Sequence, residues 1–394
     1  MKNALLYFIL MGLSLPAWAR TEYAAKMGIN DCMVCHYSPS GAGPRNQNGK
    51  FYGTRSKTSF WDSSRKYWHL DMRMNGLYPQ RPERNNNGMS MMGATVGATA
   101  PLVTDNKGNA QSQAVMTYDM GKLAPNGPRD AYVQFLSEDG AWTLGRFLAP
   151  FGLINDEHRA YTRLQTKTTI NDYEMGLMYS HNFNPRVHVD FALTTGFAQG
   201  GTFTGGTDAA PEQTGAAFIN ARVTPSFWPG FLGLSYSNHQ SLLVGQVQSA
   251  SFYNAISFER LSGFLPLQIL GEVVWAQGWN NKQYNGINMG QFVGSDLALQ
   301  AAWEKSTSIG AGGEVNYDLT PSWVLQYRYD RISLDKKFSG DVFERQGVGF
   351  KHFLHPNVNV LVRYEKATST VAEVPPESVR ANKDSFYFII HAWL

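Results

Sequence analysis

The sequence predicts an all-β fold, a transmembrane antiparallel barrel of about 16 strands, behind a small N-terminal module of different character. Three observations predict it. From about residue 90 to the C-terminus, apolar and polar residues alternate with period two, in segments recurring about every 15 to 20 residues. Only 16% of the 394 residues are charged, against a usual share of about 25%, while Gly (38 residues) and aromatics (13%) are abundant. No run of about 20 apolar residues exists to form a membrane helix. The same composition excludes a disordered chain, because apolar residues are plentiful and the net charge is only +3. Two cysteines are too few for a disulfide-stapled scaffold.

Residues 1–19 read as a signal peptide. Lys2 gives a positive start, Leu5 to Leu15 an apolar stretch, and Ala17-Trp18-Ala19 a small-x-small cleavage pattern. The apolar stretch is too short for a stable bilayer span. The mature chain is therefore expected to begin at Arg20, after export.

Residues 20–88 form the next unit. They carry eleven Lys/Arg against five Asp/Glu, while residues 89–394 are acidic overall. Both cysteines lie in Cys32-Met33-Val34-Cys35-His36. C-x-x-C-H is the attachment signature of c-type haem. Two thiols one turn apart add across the two vinyl groups, and the adjacent His ligates the iron. Three other readings compete. A thioredoxin-like motif needs a βαβ context, a zinc site needs a second ligand pair, and a plain disulfide is the simplest alternative. The expected cofactor is one covalent haem c, with His36 as proximal ligand. For the distal position, the segment Tyr67-Trp68-His69-Leu70-Asp71-Met72 nominates His69 first and Met72 second, because aromatics beside a ligand shield a haem from water. Pro39, Gly41, Gly43, Pro44, Asn46, Asn48 and Gly49 make a turn-rich loop after the motif.

Residues 89–394 carry the alternation. Trp323, Leu325, Tyr327 and Tyr329 share one face, and Val324, Gln326, Arg328 and Asp330 the other. Val187, Val189, Phe191 and Leu193 oppose His188 and Asp190, and Val358 to Tyr364 repeats the pattern. Pro-containing turns (Asn182 to Arg186, Asp318 to Ser322, Leu354 to Asn357) are interspersed with longer polar loops (Gln199 to Gln213, Asn280 to Gln291, Thr368 to Lys383). Short periplasmic turns with longer external loops are an outer-membrane barrel pattern. The aromatic-rich last strand, Phe386 to Leu394, resembles the signal read by outer-membrane insertion machinery. Seventeen candidate strand segments follow residue 90. Reading Ser295 to Lys305 as a short helix, with Ser295 as its N-cap, restores an even number. His188, Asp190, Arg328, Asp330, Arg363 and Glu365 should face a lumen, since charges facing lipid are costly. They could also clamp the N-terminal module inside it.

A signal peptide, one C-x-x-C-H and a barrel of about 16 strands together resemble the fused monohaem cytochrome–porin family. Gly145-Arg146-Phe147-Leu148-Ala149-Pro150-Phe151-Gly152 is in addition similar to a segment of phosphate-selective-type porins. The first resemblance implies a protein of the Gram-negative outer membrane. It would move single electrons between periplasmic cytochromes and an extracellular metal ion or other redox partner, Fe(II) oxidation being one form of that activity. The N-terminal cytochrome module would plug the lumen. Its surroundings would be outer-membrane lipid, and nucleic acid is not among the expected partners. Two other readings stay open: a transport porin with a periplasmic haem module for sensing or docking, and a barrel sheathing a larger multihaem conduit.

Overall fold

A computed structural model describes residues 24–25, 27–38, 41, 44–46, 49, 68–78, 90–120, 127–153, 162, 166, 168, 173–195, 213–241, 245–277, 307–320, 322–333, 342–355, 358–369 and 384–393. Sixteen antiparallel strands close into one barrel, each paired with its sequence neighbours. They are β1 (Trp68–Tyr78), β2 (Ser90–Thr104), β3 (Ala110–Asp119), β4 (Gly127–Leu136), β5 (Gly140–Leu148), β6 (Tyr173–Asn184), β7 (Val187–Thr194) and β8 (Gln213–Val223). The remainder are β9 (Gly230–Ser241), β10 (Gly245–Ser257), β11 (Leu267–Gln277), β12 (Thr307–Thr320), β13 (Trp323–Ser333), β14 (Val342–His355), β15 (Val358–Ser369) and β16 (Ser385–Trp393). A short helix, α1 (Phe258–Ser262), turns the chain between β10 and β11. No helix among the described residues is long and apolar enough to cross a membrane.

Closure corrects the expected domain boundary. β1 pairs with β16 from Asp71↔Trp393 to Tyr78↔Phe386, and with β2 on its other side. The wall therefore begins at Trp68 rather than at residue 89, because without β1 the edges of β2 and β16 would be left open. Fifteen strands follow residue 90 and the sixteenth precedes it. The expected helix at Ser295 to Lys305, the signal peptide, and most of the longer loops at 199–213, 280–291 and 368–383 lie outside the described residues.

The alternation sorts side chains by face. Trp323 and Tyr327 are 42% and 40% exposed, whereas Val324, Gln326, Arg328 and Asp330 between them are buried. Phe135, Trp142, Leu144, Phe191, Leu193, Leu234, Phe252, Val273 and Phe350 continue the exposed apolar face around the wall. Its opposite face is polar and hidden: Gln134, Ser180, His188, Asp190, Asn220, Glu272, Asn316, Arg363 and Glu365 are all buried. This inverts the arrangement of a water-soluble protein and fits lipid outside with a polar lumen inside.

Connections after even-numbered strands are short, with two residues separating Asn184 from Val187 and two separating Thr320 from Trp323. Those after odd-numbered strands are mostly longer, and both ends of the wall, Trp68 and Trp393, fall at the short-turn end. Two stretches of chain enter the barrel. Beyond β5, Ala149, Phe151 and Leu153 are buried, with the amide of Gly152 donating to Ser235 Oγ (2.8 Å) and that of Leu153 to Glu272 Oε1 (3.1 Å). Gly145 (φ 134°) and Gly152 (φ 64°) bracket this inward swing. At Gly145 a Cβ would meet Tyr132 Cα at 2.7 Å, so only glycine fits. The porin-like segment thus has a local structural task. The second stretch is residues 24–46.

Candidate functional site

The Cys32–Val34 segment winds into a single 3-10 turn capped by Asp31, whose Oδ1 accepts the Met33 amide at 2.8 Å. The amides of Cys35 and His36 both donate to Cys32 O, at 3.1 and 2.9 Å. This coil brings the two thiols and the imidazole into one turn of chain. The loop predicted after the motif folds back over it. Tyr37 N donates to Pro44 O (3.1 Å), Asn46 N to Cys35 O (3.1 Å) and Asn46 Nδ2 to Met33 O (2.7 Å). His36 and Arg45 form an isolated antiparallel bridge. Gly41, at φ 83°, passes so close that a Cβ would lie 2.8 Å from Cys32 Sγ.

The turn sits within the barrel. Ala25 packs with Leu153, Phe231, Tyr253, Ala255 and Leu270. Asn30 Nδ2 donates to Arg222 O (3.3 Å), Asn182 Nδ2 to Asp31 Oδ2 (2.8 Å) and Gln134 Nε2 to Tyr37 O (3.0 Å). Arg222 Nη1 donates to Cys32 Sγ. Tyr37 packs on a buried group that includes Tyr132, Phe147, Phe151, Met178 and Phe218. The wall residues Gln134, Asn182, His188, Arg222, Phe231, Ala255 and Leu270 all lie within three residues of the short-turn ends of their strands. At about 3.3 Å per residue, the motif is seated within about 10 Å of that mouth.

Behind these contacts lies a buried ion network. Asp190 accepts from Ser180 Oγ (2.7 Å), His188 Nε2 (2.7 Å), Asn220 Nδ2 (3.0 Å) and Arg222 Nη2 (2.8 Å). Sequence reasoning had placed His188 and Asp190 on the lumen face. It missed Asn182, Arg222 and Gln134, although their strand parity was available as a signal.

Cys32 and Cys35 are not joined in a disulfide. Burial pushes the Cys35 thiol up to about 11, and burial raises Cys32 as well, against the opposing charge of Arg222. A thiol used for disulfide exchange is shifted the other way, toward thiolate. Among the described residues no group of three or more His, Cys, Asp or Glu is arranged to hold a metal ion. The donor set, two thiols and an imidazole carried on one turn of chain, fits covalent haem attachment. The nominated distal residues are placed in the barrel wall: His69 pairs with Gly97 and Met72 with Ala94 in the β1–β2 ladder.

No family model matches the chain, and no curated relative matches it either. Among solved structures it resembles Salmonella typhi OmpF in complex with daunomycin, at TM-score 0.56 and 9% identity, covering 83% of this chain and 97% of that one. It also resembles the outer-membrane channel DcaP of Acinetobacter baumannii (TM-score 0.53, 8% identity, 83% and 96% covered). An anion-selective porin from Comamonas acidovorans is similar as well (TM-score 0.52, 10% identity, 83% and 98% covered). The fold is that of an outer-membrane porin. With its outward apolar band, this barrel belongs in the outer membrane. At such identities the likeness speaks of fold alone.

Proposed function

We propose that the chain moves single electrons across the outer membrane through one haem c held by Cys32, Cys35 and His36. The observation that carries this reading is position: the C-x-x-C-H turn lies inside the lumen, gripped by wall residues of β4, β6 and β8. Bound haem c supplies a one-electron iron couple. Cys32 and Cys35 provide the thioether sulfurs and His36 the proximal imidazole. His69, flanked in sequence by Tyr67 and Trp68, is the first choice for the distal ligand and Met72 the second. Asp31 and Asn46 hold the backbone of the turn. Tyr37 and the aromatic group beneath it exclude water from one flank.

Short turns are the periplasmic feature of such barrels. A periplasmic cytochrome would therefore meet the turn from that mouth. The hydrocarbon core is about 30 Å thick, so an extracellular metal ion such as Fe(II), or another redox partner, would reach the haem through the lumen from the long-loop side. Fe(II) oxidation is one activity this arrangement would support. The test is the purified protein in liposomes with an impermeant external reductant and an enclosed acceptor. Haem-dependent reduction of the acceptor is expected, with its loss in His36→Ala. Absence of covalent haem, or undiminished transfer in His36→Ala, defeats the proposal.

A second reading, a transport porin with an accessory haem module, is favoured by the polar lining that continues through β12 to β15, including Asn316, Gln326, Lys351 and Asn359. Free passage of small solutes through the unmodified protein would select it. A sheath around a separate multihaem protein is disfavoured, because Ala25 and Tyr37, with Ala149, Phe151 and Leu153 beyond β5, take up lumen space.

A further inference from the structure

We infer that Asp190 is a positioning residue for the haem-bearing turn, the hub of a buried saddle on β6–β8 that grips the turn by two arms. The inference rests on the haem reading above, and deepens it by naming what sets the turn in place. The first arm is Arg222. One of its terminal nitrogens donates to Asp190 Oδ2 at 2.8 Å and the other donates to Cys32 Sγ. The second arm runs through His188 and Asn182. His188 Nε2 meets Asp190 Oδ1 at 2.7 Å, and His188 Nδ1 meets Asn182 Oδ1 at 2.7 Å. Asn182 Nδ2 then donates to Asp31 Oδ2 at 2.8 Å. Asp31 in turn caps the 3-10 turn of the motif through Met33 N.

The chemistry fixes the direction of each link. A carboxylate only accepts, so the Asn182 amide nitrogen must point at Asp31 and its oxygen at His188. The two ring nitrogens of His188 thus face the Asp190 carboxylate on one side and the Asn182 amide oxygen on the other. Asp190 is fully buried, and its two oxygens are occupied by four donors from three strands. It is therefore rigid, and the rigidity passes along both arms to the residues on either side of the Asp31–Cys32 peptide bond. Around Cys32 Sγ the saddle sets the Arg222 guanidinium against the carboxylates of Asp190 and Asp31. Removing the Asp190 charge makes these surroundings less negative, which favours ferrous over ferric iron.

The experiment uses full-length holoprotein in detergent and compares Asp190→Asn, Asn182→Ala and Asp330→Asn with wild type. Asp330 is an equally buried carboxylate in the same barrel, paired with Arg328 and Arg345 on β13 and β14. Asp190→Asn should keep covalent haem and heat-modifiable gel mobility. At a fixed applied potential, its ferrous-to-ferric ratio should rise about fivefold. Asp330→Asn should leave that ratio unchanged. Asn182→Ala preserves every charge and breaks the second arm. In chain produced without haem it should speed alkylation of Cys32 several-fold, as should Asp190→Asn. A folded Asp190→Asn with wild-type redox ratio and wild-type Cys32 alkylation overturns the inference. Should Asp190→Asn not fold, an Asn182→Ala chain with wild-type alkylation does so. Failure of the haem reading is recognised separately, since wild type would then carry no haem while the alkylation comparison still decides whether the saddle holds the turn.

Discussion

The lumen contains two clusters of the same chemistry in different company. On β6–β8, Asp190 gathers His188 and Arg222; on β13–β15, Asp330 gathers Arg328 and Arg345, and Glu365 gathers Arg363 at 2.8 Å. Each is an ion network on the inner face of a wall whose outer face is apolar. Around Asp330 the partners Arg328 and Arg345 are wall residues, and the group braces strand against strand. Around Asp190 the network reaches past the wall, through Asn182 to Asp31 and through Arg222 to Cys32. Buried charge in a barrel is thus a property of the wall in general, and contact with a second piece of chain turns one such cluster into a site.

The comparison breaks most completely at the motif. Cys32→Ala combined with Cys35→Ala should abolish covalent haem, read by in-gel haem staining, while the barrel keeps its heat-modifiable mobility. Neither ion cluster depends on the thiols for its own partners. Next come the hubs. Asp190→Ala and Asp330→Ala each strand buried cations, and each should lower unfolding free energy by about 3–5 kcal/mol in urea titrations. Only Asp190→Ala should also expose residues 24–46 to limited proteolysis below the unfolding transition. Equal protection in both variants would erase the distinction drawn between the clusters.

A smaller effect tests the wall that both clusters share. Leu144, 56% exposed on the outer face of β5, should cost about 2–4 kcal/mol as Leu144→Arg in refolding from urea into liposomes. Smaller still is the contrast between two left-handed glycines. Gly108 (φ 80°) has nothing within 4 Å of a built Cβ, so Gly108→Ala should cost about 1 kcal/mol of backbone strain. Gly41 (φ 83°) has Cys32 Sγ at 2.8 Å, so Gly41→Ala should cost about 1–3 kcal/mol and lower haem yield at equal expression. The smallest effect lies in the β2–β3 turn, remote from both clusters. Hydrogen bonds from Asn109, side chain first, and from Lys107 hold the Asp105 carboxyl below its ordinary range. Its contribution to the turn is present above the unfolded-state pKa and is lost as pH falls through the lower folded value. The Lys107 and Asn109 amide resonances should therefore titrate with a midpoint below that of free Asp.

Much of the wall was legible because a strand prints its own period. Trp323 to Asp330 and Val187 to Thr194 alternate as written, and their burial follows residue by residue. β1 was legible too and was read for something else. Trp68, Leu70, Met72 and Met74 alternate with His69, Asp71, Arg73 and Asn75, a strand pattern in a segment that also carries haem-ligand residue types. The count of sixteen survived while one member changed place, since β1 entered the wall from the supposed module. The Gly145 to Gly152 segment showed its likeness in sequence, but its task of steering chain into the lumen rests on Tyr132 standing across the ladder.

What the sequence determined by itself was local: the period that turns one face to lipid, and a spacing of Cys32, Cys35 and His36 that places two thiols and an imidazole on one turn. Both follow from backbone geometry acting over a few residues. The tertiary structure decided where the turn goes and what holds it. Asn182 meets Asp31 across 151 positions, and Arg222 meets Cys32 across 190. Contacts at such separations leave no periodic trace, because they are set by closure of the barrel, which brings β4, β6 and β8 around one mouth and presents their inward side chains to whatever segment fills it.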